Sequence, residues 1–229
     1  MPVDPGPVAA GRPIVGTGQN LPSLGVTQTY DAGPGFAQQI ERYYDSGAVV
    51  RDQLAVSRAA LAWVADWVDG RCDGHARACK AMVVFDIDDT LLNNFAFYAT
   101  ADPQFSFNQD AYNAFTDRCG QTANAPVRKL YQQLQAMNVT LVVMSGRSDT
   151  LRKATRECLR QRGIDGWYKL VLKQPGDTRL ASVYKASERR KLVADGYRIV
   201  ASVGDQVSDM AGGYLKRGFL MPDPMYFIP

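Results

Sequence analysis

Short apolar runs recur along the second half of the chain, each bounded by polar or turn-forming residues. They are AMVVFD (Ala81 to Asp86), VTLVVMS (Val139 to Ser145), YKLVLK (Tyr168 to Lys173) and RIVASVGD (Arg198 to Asp205). Each has the length of a strand and is apolar at odd and even positions alike, a pattern that predicts strands buried on both faces. GFLM (Gly218 to Met221) is a further candidate. Helical stretches lie between the runs, over Val127 to Met137, Asp149 to Arg162 and Ser187 to Asp195. Gly163 and Gly196 fall where helix C-terminal caps belong. Alternation of this kind predicts the α/β class, with a doubly wound, mostly parallel sheet.

Upstream, Leu54, Leu61, Val64 and Val68 repeat at helical spacing within a helical region from about Phe36 to Val68. Trp63 and Trp67 widen that stripe and are read as core, with Gly70 and Gly74 ending the helix. Residues 1–34 are rich in Pro and Gly, show little periodicity and are expected to form an extended arm. That leaves residues 35–229 as one domain with a helical N-terminal extension, a size able to bury a substantial core.

Composition narrows the picture modestly. The apolar fraction of 46% is ordinary for a globular protein, and no apolar run approaches a membrane span. The formal charge of +3 gives no reason to invoke nucleic acid, while suiting a small anionic substrate. Four cysteines allow two disulfides in three pairings. Cys72 and Cys79 bracket a short loop that a disulfide can close, whereas Cys158 lies on the apolar side of a helix, where a reduced core thiol is the simpler expectation. A zinc site is not expected, since His75 is the only histidine and no CxxC pair exists.

The chemistry gathers where strands end, which is where ligands bind in open α/β sheets. The first run ends in Asp86-Ile87-Asp88-Asp89-Thr90, the second in Ser145-Gly146-Arg147, the fourth in Gly204-Asp205-Gln206-Val207-Ser208-Asp209. Asp86, Asp88, Asp205 and Asp209 bring too many negative charges to one sheet edge to converge without a cation. Ligation by oxygen alone points to magnesium.

FDIDDTLL, VVMSGR, a lysine and VGDQVSD occur in the order of the four motifs of the haloacid-dehalogenase (HAD) superfamily. DIDDTLLNN with Phe97-Tyr98, YKASERRKL, GYRIVASVGDQVSD and the ending MPDPMYFIP resemble its acid phosphatase branch, which includes class B-type acid phosphatases and plant vegetative storage proteins. The resemblance runs from about Tyr30 to the C-terminus and implies a HAD-like Rossmannoid sheet with a small helical cap, here within about 93–125. It implies a magnesium-dependent acid phosphatase in which Asp86 attacks phosphorus and forms an aspartyl-phosphate. Asp88 then acts as general acid and base, positioned by Thr90. Ser145 and Gly146 hold phosphoryl oxygens, with Arg147 near the substrate. Lys185 neutralises charge on nucleophile and phosphate. The implied magnesium ligands are Asp86, Asp88 through its backbone carbonyl, Asp205 and Asp209. Lys173, at the end of the third run, is a rival for the lysine; Lys185 is preferred because it opens a helix twenty residues before Asp205, as in the family's segment.

Several points stay open at this level. Phe97 or Tyr98 is a candidate for the substrate entrance, where an aromatic leaving group such as a nucleobase could stack; the other aromatics of the insert, Phe105, Phe107, Tyr112 and Phe115, are expected to form its own small core. The basic residues Arg152, Lys153, Arg156, Arg160 and Arg162 read as a solvated helix face, and Ser148 as a better helix cap than Ser145. The N-terminal stretch lacks the continuous apolar segment of a targeting signal. Together with the family it suggests the mature form of an exported, periplasmic or secreted protein. Alternatives in function are a storage or binding protein on the same fold, as in plant relatives that lose the nucleophile, and phosphotransfer to an alcohol. The oligomeric state is open, a homodimer included.

Overall fold

The computed structural model of the protein describes residues 14–23 and 27–229. In chain order the elements are β1 (Val15–Gly16), β2 (Tyr30–Asp31), α1 (Ala37–Asp45), α2 (Ala48–Cys72), β3 (Ala81–Phe85), β4 (Leu92–Asn93), α3 (Phe95–Ala99), α4 (Gln109–Asp117), β5 (Thr122–Ala123) and α5 (Ala125–Ala136). They continue with β6 (Thr140–Ser148), α6 (Arg152–Gln161), β7 (Lys169–Lys173), α7 (Ala181–Ala194), β8 (Arg198–Gly204), β9 (Gly218–Leu220) and β10 (Tyr226–Phe227). Among the described residues the main sheet has six parallel strands in the order β1-β9-β8-β3-β6-β7. The expected α/β class and parallel sheet are therefore observed.

The uniform apolarity of the strand runs has a direct packing counterpart. Val83, Phe85, Leu141 and Val143 face the layer formed by α2, α5 and α6, whereas Met82, Val84, Val142 and Met144 face the opposite layer with Tyr184 and Leu192 of α7. Both faces are covered, so the central positions of β3, β6, β7 and β8 are buried whichever way they point, and alternation between apolar and polar residues disappears there. Trp67 is buried in the first layer and Trp63 packs against it, its indole N–H donating to the carbonyl of Val200.

Chain order fixes where the site lies. From β3 the chain winds outward through β6 and β7, then returns to β8 on the other side of β3 and winds outward again to β9. The reversal leaves a crevice at the carboxyl ends of β3 and β8, the switch point at which open α/β sheets bind ligands.

Several boundaries depart from expectation. The single helical region ends at Asp45 and restarts at Ala48, because Gly47 adopts φ 70°, a left-handed turn that glycine enters at no steric cost. Gly70 does not end α2, which runs on to Cys72 and stops at Asp73 and Gly74, both at positive φ. Helix α7 begins at Ala181 instead of Ser187, and Lys185 therefore lies in its second turn. Part of the expected arm is built into the fold. Val15–Gly16 extends the main sheet beside β9, and Tyr30–Asp31 pairs antiparallel with β10 near the C-terminus. Residues 1–13 and 24–26 of the arm lie outside the described residues.

All four cysteines are paired, Cys72 with Cys79 and Cys119 with Cys158. The first closes the loop after α2. The second corrects the reading of Cys158 as a reduced core thiol: it is fully buried, yet bonded to Cys119, two residues past α4, and so staples the insert between β3 and α5 onto α6. No helix among the described residues is long and apolar enough to cross a membrane.

Candidate active site

The floor of the crevice is built from three adjacent strand ends. Asp86 follows β3 directly, and its backbone N–H donates to the carbonyl of Val203 at 2.9 Å, which carries the pairing with β8 one residue past the strand. Asp205 follows β8, and Asp209 closes the short 3₁₀ turn Val207–Asp209. One carboxylate oxygen from each of Asp86, Asp205 and Asp209 lies within 4.8 Å of the other two, and all three residues are buried. Gly204 makes this possible: a Cβ there would sit 2.1 Å from the Asp209 carboxylate.

Lys185 reaches this cluster from α7. Its Nζ donates to Asp86 Oδ1 at 2.6 Å and to Asp209 Oδ1, and its pKa is pushed up by those two carboxylates against the effect of burial. Lys173 instead donates to the carbonyl of Arg179. One ammonium does not offset three carboxylates. Burial, together with Asp209, Asp205 and Asp88, drives the pKa of Asp86 well above the ordinary range despite Lys185. Burial, with Asp209 and Asp89, pushes Asp205 up to about 8. A buried, all-oxygen set with surplus negative charge suits a hard divalent cation.

Asp88 behaves oppositely. The backbone turns after Ile87, and its carboxylate leaves the cluster to meet Arg147, which donates through Nε at 2.9 Å and Nη2 at 2.6 Å. Tyr112 Oη (2.5 Å), Asn94 Nδ2 (3.0 Å) and Ser145 Oγ (3.4 Å) complete the ring of donors. Burial alone would raise its pKa, but Arg147, Tyr112 and Asn94 hold it below the usual carboxylate value. Arg147, expected beside the substrate, is itself buried and clamped on Asp88. It does line the cavity.

The remaining expected residues fall as follows. Thr90, expected to position Asp88, instead donates to Asp205 Oδ1 at 3.0 Å, and so holds a carboxylate of the cluster. Ser145 lies within β6 where its pairing with β7 becomes irregular, and its hydroxyl accepts from the N–H of Arg147, with Gly146 lining the cavity beside it. Ser148, not Ser145, caps the following 3₁₀ turn. Phe97 is packed among Tyr98, Tyr112 and Phe115 and does not line the cavity. Tyr98 does line it, although it is largely buried and stacked on Tyr226 with ring centres 5.3 Å apart. The exposed aromatic at the mouth is Phe107.

Residues to which the sequence assigns no role complete the site. Asp89, at φ 52°, accepts from the N–H and side chain of Asn94 and from Tyr226 Oη, and burial pushes it up to about 7. Gln206 bridges Asp205 and Asp223. The third acid of DIDDT and the one acid of the C-terminal MPDP were visible in the sequence, but only the three-dimensional contact between distant segments gives them a role. The cavity above these groups measures ≈ 730 Å³ and reaches the insert on one side and the loop between β7 and α7 on the other.

A covered parallel sheet with a buried lysine and three clustered aspartates at its switch point is the arrangement that the family comparison places among the HAD-like α/β proteins. The chain belongs to the HAD superfamily, subfamily IIIB (Acid phosphatase), whose family model matches residues 27–229. That family is one of phosphoric monoester hydrolases, and this chain is an enzyme of that class. Acid phosphatase 1 of Solanum lycopersicum is 31% identical over 204 residues, which is 87% of this chain and 72% of that protein. The stem 28 kDa glycoprotein of Glycine max is 34% identical over 154 residues, covering 65% of this chain and 61% of that protein. Vegetative storage protein 1 of Arabidopsis thaliana is 32% identical over 152 residues, covering 64% and 55% respectively. The chain thus spans less than two thirds of the length of the latter two. In fold it is similar to the class C acid phosphatase from Bacillus anthracis, with a TM-score of 0.63 at 18% identity over 85% of this chain and 87% of that one.

Proposed function

We propose that this protein hydrolyses phosphomonoesters with magnesium through a phosphorylated Asp86. The observation that carries the reading is the junction of Lys185 with Asp86 and Asp209 on the floor of an open cavity, beside an acid, Asp88, held apart from them. In this reading Asp86, Asp205 and Asp209 hold the ion, joined by the backbone carbonyl of Asp88. Bound magnesium supplies neutralisation of the carboxylates and charge stabilisation on the phosphoryl group.

The chain's own groups do the rest. An Asp86 carboxylate oxygen bonds to phosphorus as the ester oxygen leaves, and Asp88 gives that oxygen its proton. Asp88 then takes a proton from the water that attacks phosphorus and frees Asp86, so each turnover consumes one water and returns both carboxyls to their starting state. Lys185 neutralises charge on Asp86 as the bond forms, and Ser145 with the Gly146 N–H receives phosphoryl oxygens. The low pKa of Asp88 means that it carries a proton only in acid, which supports an acidic working range. Two disulfides and the plant relatives support export. Tyr98 and Phe107 form an aromatic side of the cavity for the leaving group, a role that Phe97 does not reach.

The test is p-nitrophenyl phosphate hydrolysis from acidic to neutral pH, with and without magnesium, in wild type and Asp86→Asn. Magnesium-dependent turnover should fall on the order of 10³-fold or more in the variant, since loss of a nucleophile removes the covalent route. No turnover by a folded wild type would favour the storage or binding role that the name of an Arabidopsis relative suggests.

A further inference from the structure

We infer that Asp223 is a positioning residue that aims the Asp205 carboxylate at the cation through the side chain of Gln206; this rests on the magnesium reading above. Asp205 is gripped on both oxygens. Oδ1 accepts from Thr90 Oγ1 at 3.0 Å and Oδ2 from Gln206 Nε2 at 2.7 Å. The second grip is only as good as the placement of the Gln206 amide, which sits in a frame of C-terminal groups. Its Nε2 also donates to Asp223 Oδ2 at 3.0 Å, and its Oε1 accepts from the N–H of Ile228 at 3.0 Å. Asp223 is in turn fixed by the N–H of Met225 at 2.9 Å on Oδ1.

Fold stability alone is a poor reason for this arrangement. Asp223 is fully buried close to two further acids, Asp89 and Asp205. A third carboxyl here is costly, and an apolar side chain would fill the space without that cost. What the carboxyl offers is an acceptor that fixes the direction of the Gln206 amide. Groups outside the ligand set that orient a coordinating carboxylate commonly govern metal affinity. The described N-terminal segment serves the same shelf: Asn20, which pairs with Asp223, donates from Nδ2 to the carbonyls of Asp205 and Met221 at 2.8 Å each. The loop that bears Asp205 is thus held from both ends of the chain.

The experiment is calorimetric titration of magnesium, and of manganese as a second probe, into substrate-free protein stripped by chelator. Wild type, Asp223→Ala, Asp223→Asn and Gln206→Met are compared, with KM for p-nitrophenyl phosphate taken at saturating metal. Asp223→Ala and Gln206→Met should bind the ion about 10–100-fold more weakly, with KM unchanged. Asp223→Asn should bind the ion more tightly than Asp223→Ala but more weakly than wild type, because its one amide oxygen can accept from Gln206 Nε2 or from the Met225 N–H but not from both. If Asp223→Ala does not fold, Gln206→Met decides, since it cuts the link and leaves Asp223 in place. Undiminished affinity in Asp223→Ala or, failing that, in Gln206→Met overturns the inference alone. A wild type that binds neither ion overturns the magnesium reading and the inference with it.

Discussion

The carboxylate of Asp88 is met by Arg147, Tyr112, Asn94 and Ser145, and this ring of donors sets its affinity for a proton. In the neighbouring cluster Asp86 and Asp205 are pushed the other way, by burial first and then by the acids around them, Asp209 foremost. Two neighbouring environments thus separate an acid held apart from a cluster suited to a cation, a division that permits distinct roles for chemically identical side chains. Arg147→Lys tests the first environment. Lysine cannot reproduce the two-pronged grip of a guanidinium, so the Asp88 pKa rises towards the ordinary value. Because the reaction needs a proton on Asp88, the alkaline limb of the kcat/KM profile should move to higher pH. A limb that stays fixed or moves down would remove Asp88 from the role of acid.

Among the elements, the insert between β3 and α5 connects packing to chemistry. Its aromatic cluster of Phe97, Tyr98, Phe105, Tyr112 and Phe115 packs on Ile40 of α1 and Tyr226 of β10, and Tyr112 ends on Asp88. The Cys119–Cys158 bond ties this insert to α6 across a separation of 39 residues, against 7 for Cys72–Cys79. Chain-entropy arguments give about 4 kcal/mol for the longer loop and about 2 for the shorter. Cys119→Ser with Cys158→Ser should therefore lower the denaturant midpoint more than the Cys72/Cys79 pair does, and the reverse order would contradict the staple. Buried strands and long helices were legible in the sequence because repetition along the chain reports them. The N-terminal strand was not, since two residues carry no periodicity and Val15–Gly16 becomes a strand only through its pairing with β9. Three of the motif groups were legible because each follows an apolar run, whereas Lys185 was picked out over Lys173 only through the resemblance of its segment to the family's. Asn94, Tyr112, Gln206 and Asp223 were not, because their roles arise from contacts between segments far apart in the chain. Arg147 was placed in the right region, but its pairing with Asp88 was not foreseen, since sequence spacing does not say which way a side chain turns.

For the whole molecule, the buried acids link stability to pH and to metal. Asp89 and Asp205 stand at about 7 and about 8, against an ordinary 3.8, with Asp86 and Asp223 also displaced upward. A carboxyl whose pKa is raised on folding binds its proton more tightly in the native state. The metal-free protein therefore loses stability as pH rises from about 4 towards 8. The lowered pKa of Asp88 acts in the opposite sense, but only in the acid below the ordinary carboxylate range. In chelator, Tm should be lower at pH 8 than at pH 5, by about 2–4 °C for each kcal/mol lost in a chain of this size. Magnesium binds the deprotonated carboxylates, so it should raise Tm more at pH 8 than at pH 5. Equal Tm values in chelator, with no response to magnesium, would contradict the cation cradle.

The most direct measurement is capture of the phosphorylated enzyme. Protein mixed with a phosphomonoester and magnesium is quenched in acid within one turnover, digested and analysed by mass spectrometry. The account predicts that the peptide containing Asp86 gains the mass of one phosphoryl group, and that Asp86→Asn shows no such gain at any position. Modification at another residue, or full turnover from an enzyme never phosphorylated at Asp86, would contradict it.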